Sequence, residues 1–253
     1  MITVALLLEY DGTDFHGWQH QPRMRTVQGT LTDSLKRFIG ITDFVAGSGR
    51  TDVGVHAKGQ VAHFAVESLP FDVQIIPEIF TRRLPLDLKI LDARIPVGAD
   101  FHSRFSATER TYHYTISLDD SVFKRRYSWT NLPKLSVETL QEAAKMFIGI
   151  QDFSTFTKHN TVVTDHRCIV TESFWNYNEA TNQLVYTIKA NRFLYSMVRA
   201  LVGAMVRCAE GKMTLSELTD RFHKKNRTFI QKLAPSSGLC LAKVSYPPNY
   251  RLW

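Results

Sequence analysis

The stretch Gly47-Ser48-Gly49-Arg50-Thr51-Asp52-Val53-Gly54-Val55-His56-Ala57 decides how the first half of this chain reads. Three glycines fall within eight positions, and glycine reaches backbone angles that other residues resist. The segment is therefore a tight connection between elements. On one side, residues 43–47 suit a short strand. On the other, Val61, His63 and Ala65 alternate with Ala62, Phe64 and Val66, the period of a strand over 60–66. Further out, Val27, Leu31, Leu35 and Phe38 recur on one face and predict a helix over 27–39. Residues 2–10 read as an apolar strand. A helix near 74–83 and a strand near 88–95 complete the order β-α-β-β-α-β, the split βαβ pattern.

The second half repeats that order without obvious sequence identity. Residues 111–118 alternate as a strand, and Ser136 is placed to cap a helix carrying Leu140, Ala144 and Phe147. Strands are expected near 167–175 and 183–190. Residues 193–208 give the clearest helical pattern. Phe193, Met197, Leu201 and Met205 form one ladder, and Leu194, Val198, Val202 and Val206 the next. Thr214-Leu215-Ser216-Glu217 reads as a capping box for a further short helix, and 239–245 as a final strand. The expected fold is α+β (α/β): two split βαβ, ferredoxin-like halves with mixed, mostly antiparallel sheets flanking a basic catalytic cleft. The expected domains are 1–105, carrying Asp52, and 106–253.

Composition narrows the classes. With 253 residues, 44% of them hydrophobic, the chain can bury a sizeable core, and 13 Gly with 9 Pro exclude a low-complexity protein. Glu9 and Asp11 end the first apolar run, which has no basic leader, so it reads as a strand and not as a signal peptide or membrane span. Cys168, Cys208 and Cys240 are too far apart for a metal knuckle or a redox dithiol, which points to a reducing, cytoplasmic setting. The net charge of +7 is uneven. Residues 1–126 hold 15 basic and 15 acidic residues, whereas 127–253 hold 16 and 9. A polyanion contacted largely through the second half fits that asymmetry, although such an excess also keeps a protein soluble.

The glycine-rich segment lacks the Gly-Lys-Ser/Thr ending of a phosphate loop and misses the dinucleotide fingerprint, which disfavours an enzyme built around a nucleotide cofactor. His16 and His20, or His56 and His63, lack the companions of a metal site, so no metal is expected, and His63 should be packed or paired within its strand. Arg50 and Asp52 can be held together in the turn, unless Asp52 only caps its own backbone. Tyr112 and Tyr114 share a strand face beside Arg104 and Arg110, as a stacked base and its phosphate would require, with one of the two tyrosines expected in the core. Arg199, next to Val198 on the apolar helix, either snorkels outward or meets a carboxylate, and Asp52 is the expected partner. A carboxylate beside a guanidinium stays ionised, suited to act as nucleophile or base and poorly suited to donate a proton. No second carboxylate motif accompanies it, which disfavours two-acid glycoside hydrolysis. A single-carboxylate reaction on a nucleic acid is the class these residues favour, and they do not name the reaction. An RNA-binding module without catalysis is the rival.

These segments resemble the TruA family of tRNA pseudouridine synthases. Gly49-Arg50-Thr51-Asp52-Val53-Gly54-Val55-His56-Ala57 is similar to that family's active-site signature. The stretch from Tyr10 to Gln21, Thr26-Val27-Gln28, Gly59-Gln60-Val61-Ala62-His63-Phe64 and Asp100-Phe101-His102-Ser103-Arg104-Phe105-Ser106-Ala107 follow in the family's order. So do Tyr112-His113-Tyr114, Asp152-Phe153-Ser154, Met197-Val198-Arg199 and Gly238-Leu239, so the likeness spans about 3–247. It implies an isomerase that needs no cofactor and makes pseudouridine at positions 38, 39 and/or 40 of the tRNA anticodon arm, as a homodimer of two-domain subunits. Asp52 would match the essential aspartate, and Arg50 and Arg199 the arginines that orient it. Tyr112 would match the tyrosine stacking on the uracil, and Lys189 and Leu239 positions near the pocket wall. Arg104, from its place beside the tyrosines, is a further expected substrate contact. Ser48 and Ser103 stand where alanine is common, Cys240 where tyrosine is common, and 158–167 is hard to match.

Overall fold

The computed structural model describes residues 1–98, 100–157, 164–225 and 233–253. Of the stretch 158–167, positions 158–163 lie outside the described residues. The chain forms two compact units, Met1–Arg110 with Cys240–Trp253, and Thr111–Leu239.

In the first unit, β1 (Ile2–Tyr10) lies between β3 (His56–Val66) and β4 (Leu88–Arg94), antiparallel to both. The two-residue β2 (Ala46–Gly47) pairs with the outer edge of β3. Val4, Leu6 and Leu8 share one face of β1 and are fully buried, whereas Thr3, Leu7 and Glu9 on the other face are half-buried. Helix α1 (Val27–Ile39) starts where the Thr26 hydroxyl accepts from the Gly29 amide, and it buries Val27, Leu31 and Leu35. A 3-10 turn (Val73–Ile75) leads into α2 (Ile76–Thr81). The order β4-β1-β3-β2 is the split βαβ topology expected from the hydrophobic pattern.

The second unit contains β5 (Glu109–Ser117), α3 (Val137–Lys145), β6 (Gly149–Asp152), β7 (Arg167–Asn178), β8 (Gln183–Ala190), α4 (Met197–Ala209) and α5 (Leu215–His223). Its strands lie in the order β5-β8-β7-β6, and β7 runs antiparallel to β6 and β8. Trp175 of β7 stacks on its cross-strand partner Tyr186, with ring centroids 5.0 Å apart, and its indole N–H reaches Met205 of α4. Phe147, Phe153, Phe156 and Phe222 form an aromatic cluster that ties α5 to the segments flanking β6. The final strand β9 (Leu239–Ser245) runs parallel to β3, with Cys240 opposite His56, which joins the chain's end to the first unit.

Two local expectations need correction, and one strand was not expected at all. The helix expected from 193 begins at Met197, because Ser196 adopts a left-handed conformation with φ 57° and the Met197 amide turns back to the Leu194 carbonyl. The strand expected over 43–47 is reduced to two residues. Strand β6 was not anticipated, since four residues are too few to establish a period. Ser136 and Thr214 cap their helices as expected, Thr214 through a complete capping box. Among the described residues, no helix is long and apolar enough to cross a membrane.

The two kinds of helix support should separate experimentally. Leu201 is fully buried on α4, so Leu201→Ala should cost about 2–5 kcal/mol, whereas Thr214→Ala should cost about 1 kcal/mol. Urea unfolding of both variants checks the ranking, which equal losses would contradict.

Candidate active site

Residues 48–55 link β2 to β3, and they are secured at several points. The Ser48 amide donates to the Val61 carbonyl at 2.7 Å, and the Trp18 amide donates to the Thr51 carbonyl at 3.1 Å. The Thr51 hydroxyl lies 2.9 Å from the Tyr10 phenol. The Val55 amide closes a turn on the Asp52 carbonyl at 3.1 Å. Gly54 is the third residue of that turn, with φ 76°, where a type II turn requires a positive angle. Gly47 answers a different need, since a Cβ there would stand 2.5 Å from the Trp18 ring.

Burial along this segment sets what it displays. Thr51 and Val55 are only 5% and 2% exposed, Asp52 between them is half-buried, and Arg50 is exposed. The chain is thus anchored on both sides of Asp52, which places the carboxylate at the boundary of the protein on a fixed backbone. The segment 11–20 braces the loop from outside. Its Gly12 amide donates to His56 Nδ1 at 3.1 Å, and the Phe15 carbonyl accepts from the Gly54 amide.

A second segment, 101–106, is joined to the loop by one side chain. The Arg110 guanidinium donates to the carbonyls of Ser48 (3.0 Å), Arg104 (2.6 Å) and Ala107 (3.1 Å). Arg110 therefore serves architecture and carries Arg104 beside the signature loop, where the exposed Arg104 guanidinium lies over the Phe105 ring. The same segment is fastened to β3 through Ser103. Its amide donates to His63 Nδ1 at 3.2 Å, and its hydroxyl donates to the Ala46 carbonyl at 2.8 Å. His63 is paired locally, as expected. Burial, with His102 beside it, lowers its pKa to about 4.

The remaining candidates belong to the second unit. Arg199, on the first turn of α4, donates from Nε to the Ala234 carbonyl at 2.8 Å, and its own carbonyl accepts from the Ala234 amide. Tyr114 is the core member of the tyrosine pair. It is fully buried, its hydroxyl donates to the Pro235 carbonyl at 2.9 Å, and burial pushes its pKa far up. Gly238 lies so close that a Cβ would meet the Tyr114 ring at 2.6 Å. Tyr112 is nearly buried and meets the Phe193 ring edge-on at 5.1 Å. Lys189 faces Glu172 across the strand pair at 3.5 Å, and Leu239 is buried at the start of β9. The structure thus collects Arg50, Asp52 and Arg104 in one unit, and Tyr112, Lys189, Arg199 and Leu239 in the other.

Tyr10, Trp18, Gln60 and Arg110 hold the loop without having been singled out as its supports. One signal was available: Gln60 is an amide directly before the apolar pair Val61 and Ala62 of a strand, and a buried amide must find partners. Burial raises the Cys168 thiol to about 12 and those of Cys208 and Cys240 to about 11, which keeps all three protonated near neutral pH. Among the described residues, no group of three or more His, Cys, Asp or Glu is arranged to hold a metal ion.

The lowered His63 pKa has a pH consequence. The folded protein resists protonating this ring while the unfolded chain accepts the proton near 6.5, so this contribution is complete above about pH 6.5 and is lost as pH falls toward 4. The loss should reach about 1–2 kcal/mol at pH 5, allowing for solvent screening of a partly exposed ring. His63→Asn keeps an acceptor and cannot titrate, so denaturant unfolding at pH 7.5 and pH 5 should show a flatter dependence in that variant. Equal slopes would refute the assignment.

A family model described as tRNA pseudouridine synthase matches residues 7–106 and 143–247. Three similar curated proteins, each named tRNA pseudouridine synthase A, come from Maridesulfovibrio salexigens, Halalkalibacterium halodurans and Bacteroides fragilis. The first is 41% identical over 250 residues, covering 97% of this chain and 91% of the relative. The second is 40% identical over 243 residues, covering 94% and 90%, and the third 37% over 242, covering 96% and 95%. Among solved structures, the chain aligns over 81% of its length with 43% of a chain in the "archaeal box H/ACA sRNP Nop10-Cbf5 complex", at 9% identity and TM-score 0.37, too remote to bear on fold or function. With most of its length matched by the family model and identities near 40% over nearly the whole chain, this protein belongs to the tRNA pseudouridine synthase family.

Proposed function

We propose that this protein converts uridine to pseudouridine at positions 38, 39 and/or 40 of the tRNA anticodon stem-loop, with Asp52 as its single catalytic carboxylate. Family membership supports the reaction class. The observation that carries the role of Asp52 is its half-buried position between the buried anchors Thr51 and Val55. A catalytic group gains from such a backbone because reacting atoms must be held within fractions of an ångström.

The reaction breaks the C1′–N1 bond, turns the uracil and joins C5 to C1′, while N1 gains a proton and C5 loses one. Atoms balance without water or net oxidation, so the proposed chemistry calls for no cofactor or metal. Asp52 acts by adding to C1′, by adding to C6, or by taking the 2′ hydrogen. Arg50 and Arg199 orient the carboxylate, and Tyr112 stacks on the extruded base, which must leave its helix to be reached. Lys189 and Leu239 line the pocket, and Arg104 contacts the RNA backbone. The protein works on tRNA in the cytoplasm as a homodimer, and the basic excess of residues 127–253 supplies the long-range attraction.

Asp52→Asn should abolish pseudouridine formation while tRNA affinity stays within about tenfold, because the change removes a charge without altering side-chain size. Site-specific mapping of unmodified tRNA after incubation with each protein checks this and names the positions modified. Pseudouridine made by the variant at the normal rate would remove Asp52 from its role, and binding without product by the wild type would favour the RNA-binding module. Independently, Lys/Arg→Ala changes in residues 127–253 should weaken tRNA binding at every sequence and flatten its salt dependence by about one unit of slope for each phosphate no longer neutralised. Titrations at several salt concentrations read that slope, and an unchanged value would place the RNA face elsewhere.

A further inference from the structure

Behind the signature loop lies a chain of buried hydrogen bonds that the proposed chemistry does not itself use. Gln60 is fully buried, and its amide has all four hydrogen-bonding positions filled. Its Oε1 accepts from the Ser48 hydroxyl at 2.6 Å and from the Val61 amide at 3.2 Å. Its Nε2 donates to the Gly49 carbonyl at 3.0 Å and to the Tyr10 oxygen at 3.4 Å. These bonds lead on to a hydroxyl pair. Tyr10 Oη accepts from Gln60 at one side and pairs with Thr51 Oγ1, 2.9 Å away, where either hydroxyl can donate. Burial raises the Tyr10 pKa far above its ordinary value, so the phenol keeps its hydrogen at any working pH.

The chain touches Ser48, Gly49 and Thr51, the residues leading into Asp52 and lying on either side of Arg50. Tyr10 and Gln60 are 4% and 0% exposed, behind a half-buried Asp52 and an exposed Arg50. From this geometry we infer that Gln60, Tyr10 and Thr51 are positioning residues, which hold the Arg50–Asp52 backbone in register for the reaction without touching the uridine. This rests on the functional reading above and deepens it. A merely structural network would affect stability or tRNA affinity. A positioning network acts on the rate at which bound tRNA is converted.

Single-turnover conversion with enzyme in excess separates the two, measured beside tRNA affinity for Tyr10→Phe, Thr51→Val and Thr51→Ser. Tyr10→Phe removes one hydroxyl of the pair and Thr51→Val the other, so each should slow conversion of bound tRNA by about tenfold to a hundredfold. Affinity should stay within about threefold, because the network does not reach the RNA. Thr51→Ser retains the hydroxyl and should recover most of the rate. The inference is overturned by wild-type conversion in Tyr10→Phe, by a loss of affinity as large as the loss of rate, or by Thr51→Ser as slow as Thr51→Val. If Thr51→Val does not fold, Tyr10→Phe decides the matter alone. A wild-type protein that forms no pseudouridine in tRNA would instead overturn the functional reading, before any variant is compared.

Discussion

The register of β1 on β3 is the constraint on which the candidate site depends. Leu8 lies opposite Gln60 and Tyr10 opposite Ala57, with an irregularity between the two pairs. That offset lets the Tyr10 phenol reach both Gln60 and Thr51. Side chains alternate across a strand, so a one-residue slip would turn Tyr10 to the opposite face and expose the apolar set of β1. Burial of Val4, Leu6 and Leu8 on one face opposes such a slip far more strongly than any single hydrogen bond could. A generic force, apolar burial, thereby secures a specific polar geometry.

The polar groups around the signature divide into those spent on architecture and those left at the surface. Arg110 is spent on three carbonyls, Ser103 on His63 and Ala46, and Gln60 on four partners. Each satisfies a buried group that would otherwise carry a desolvation cost. Arg50 and Arg104 stay exposed. In the second unit, α4 is buried on nearly every side, and Arg199 is tethered to Ala234 by both its side chain and its backbone. A helix so thoroughly packed gives its few polar side chains little freedom, which is how an apolar element can place a cation accurately.

Much of this was legible from patterns along the chain. The face of Val27, Leu31 and Leu35, the caps at Ser136 and Thr214 and the alternation of 60–66 depend on residues within a few positions of one another, where local propensity and packing agree. Ser196 was not legible. A serine with φ 57° is uncommon, and the apolar ladders on either side of it run on as though the helix did too. The role of Arg110 was equally hidden, because it links Ser48 to Ala107 across more than fifty residues of sequence.

By itself the sequence determined which segments become strands and helices, where glycines permit a turn, and the family resemblance carried by the Gly49–Ala57 signature. These follow from side-chain periodicity and backbone sterics, which act over short distances along the chain. Only the tertiary structure decided that the last strand returns to β3, that Tyr114 rather than Tyr112 donates to Pro235 from the core, and that Gln60, Tyr10 and Thr51 form one connected chain. Those outcomes depend on which distant groups meet once water is expelled, and a hydrogen bond between positions 10 and 51 leaves no periodic trace in the residues between them.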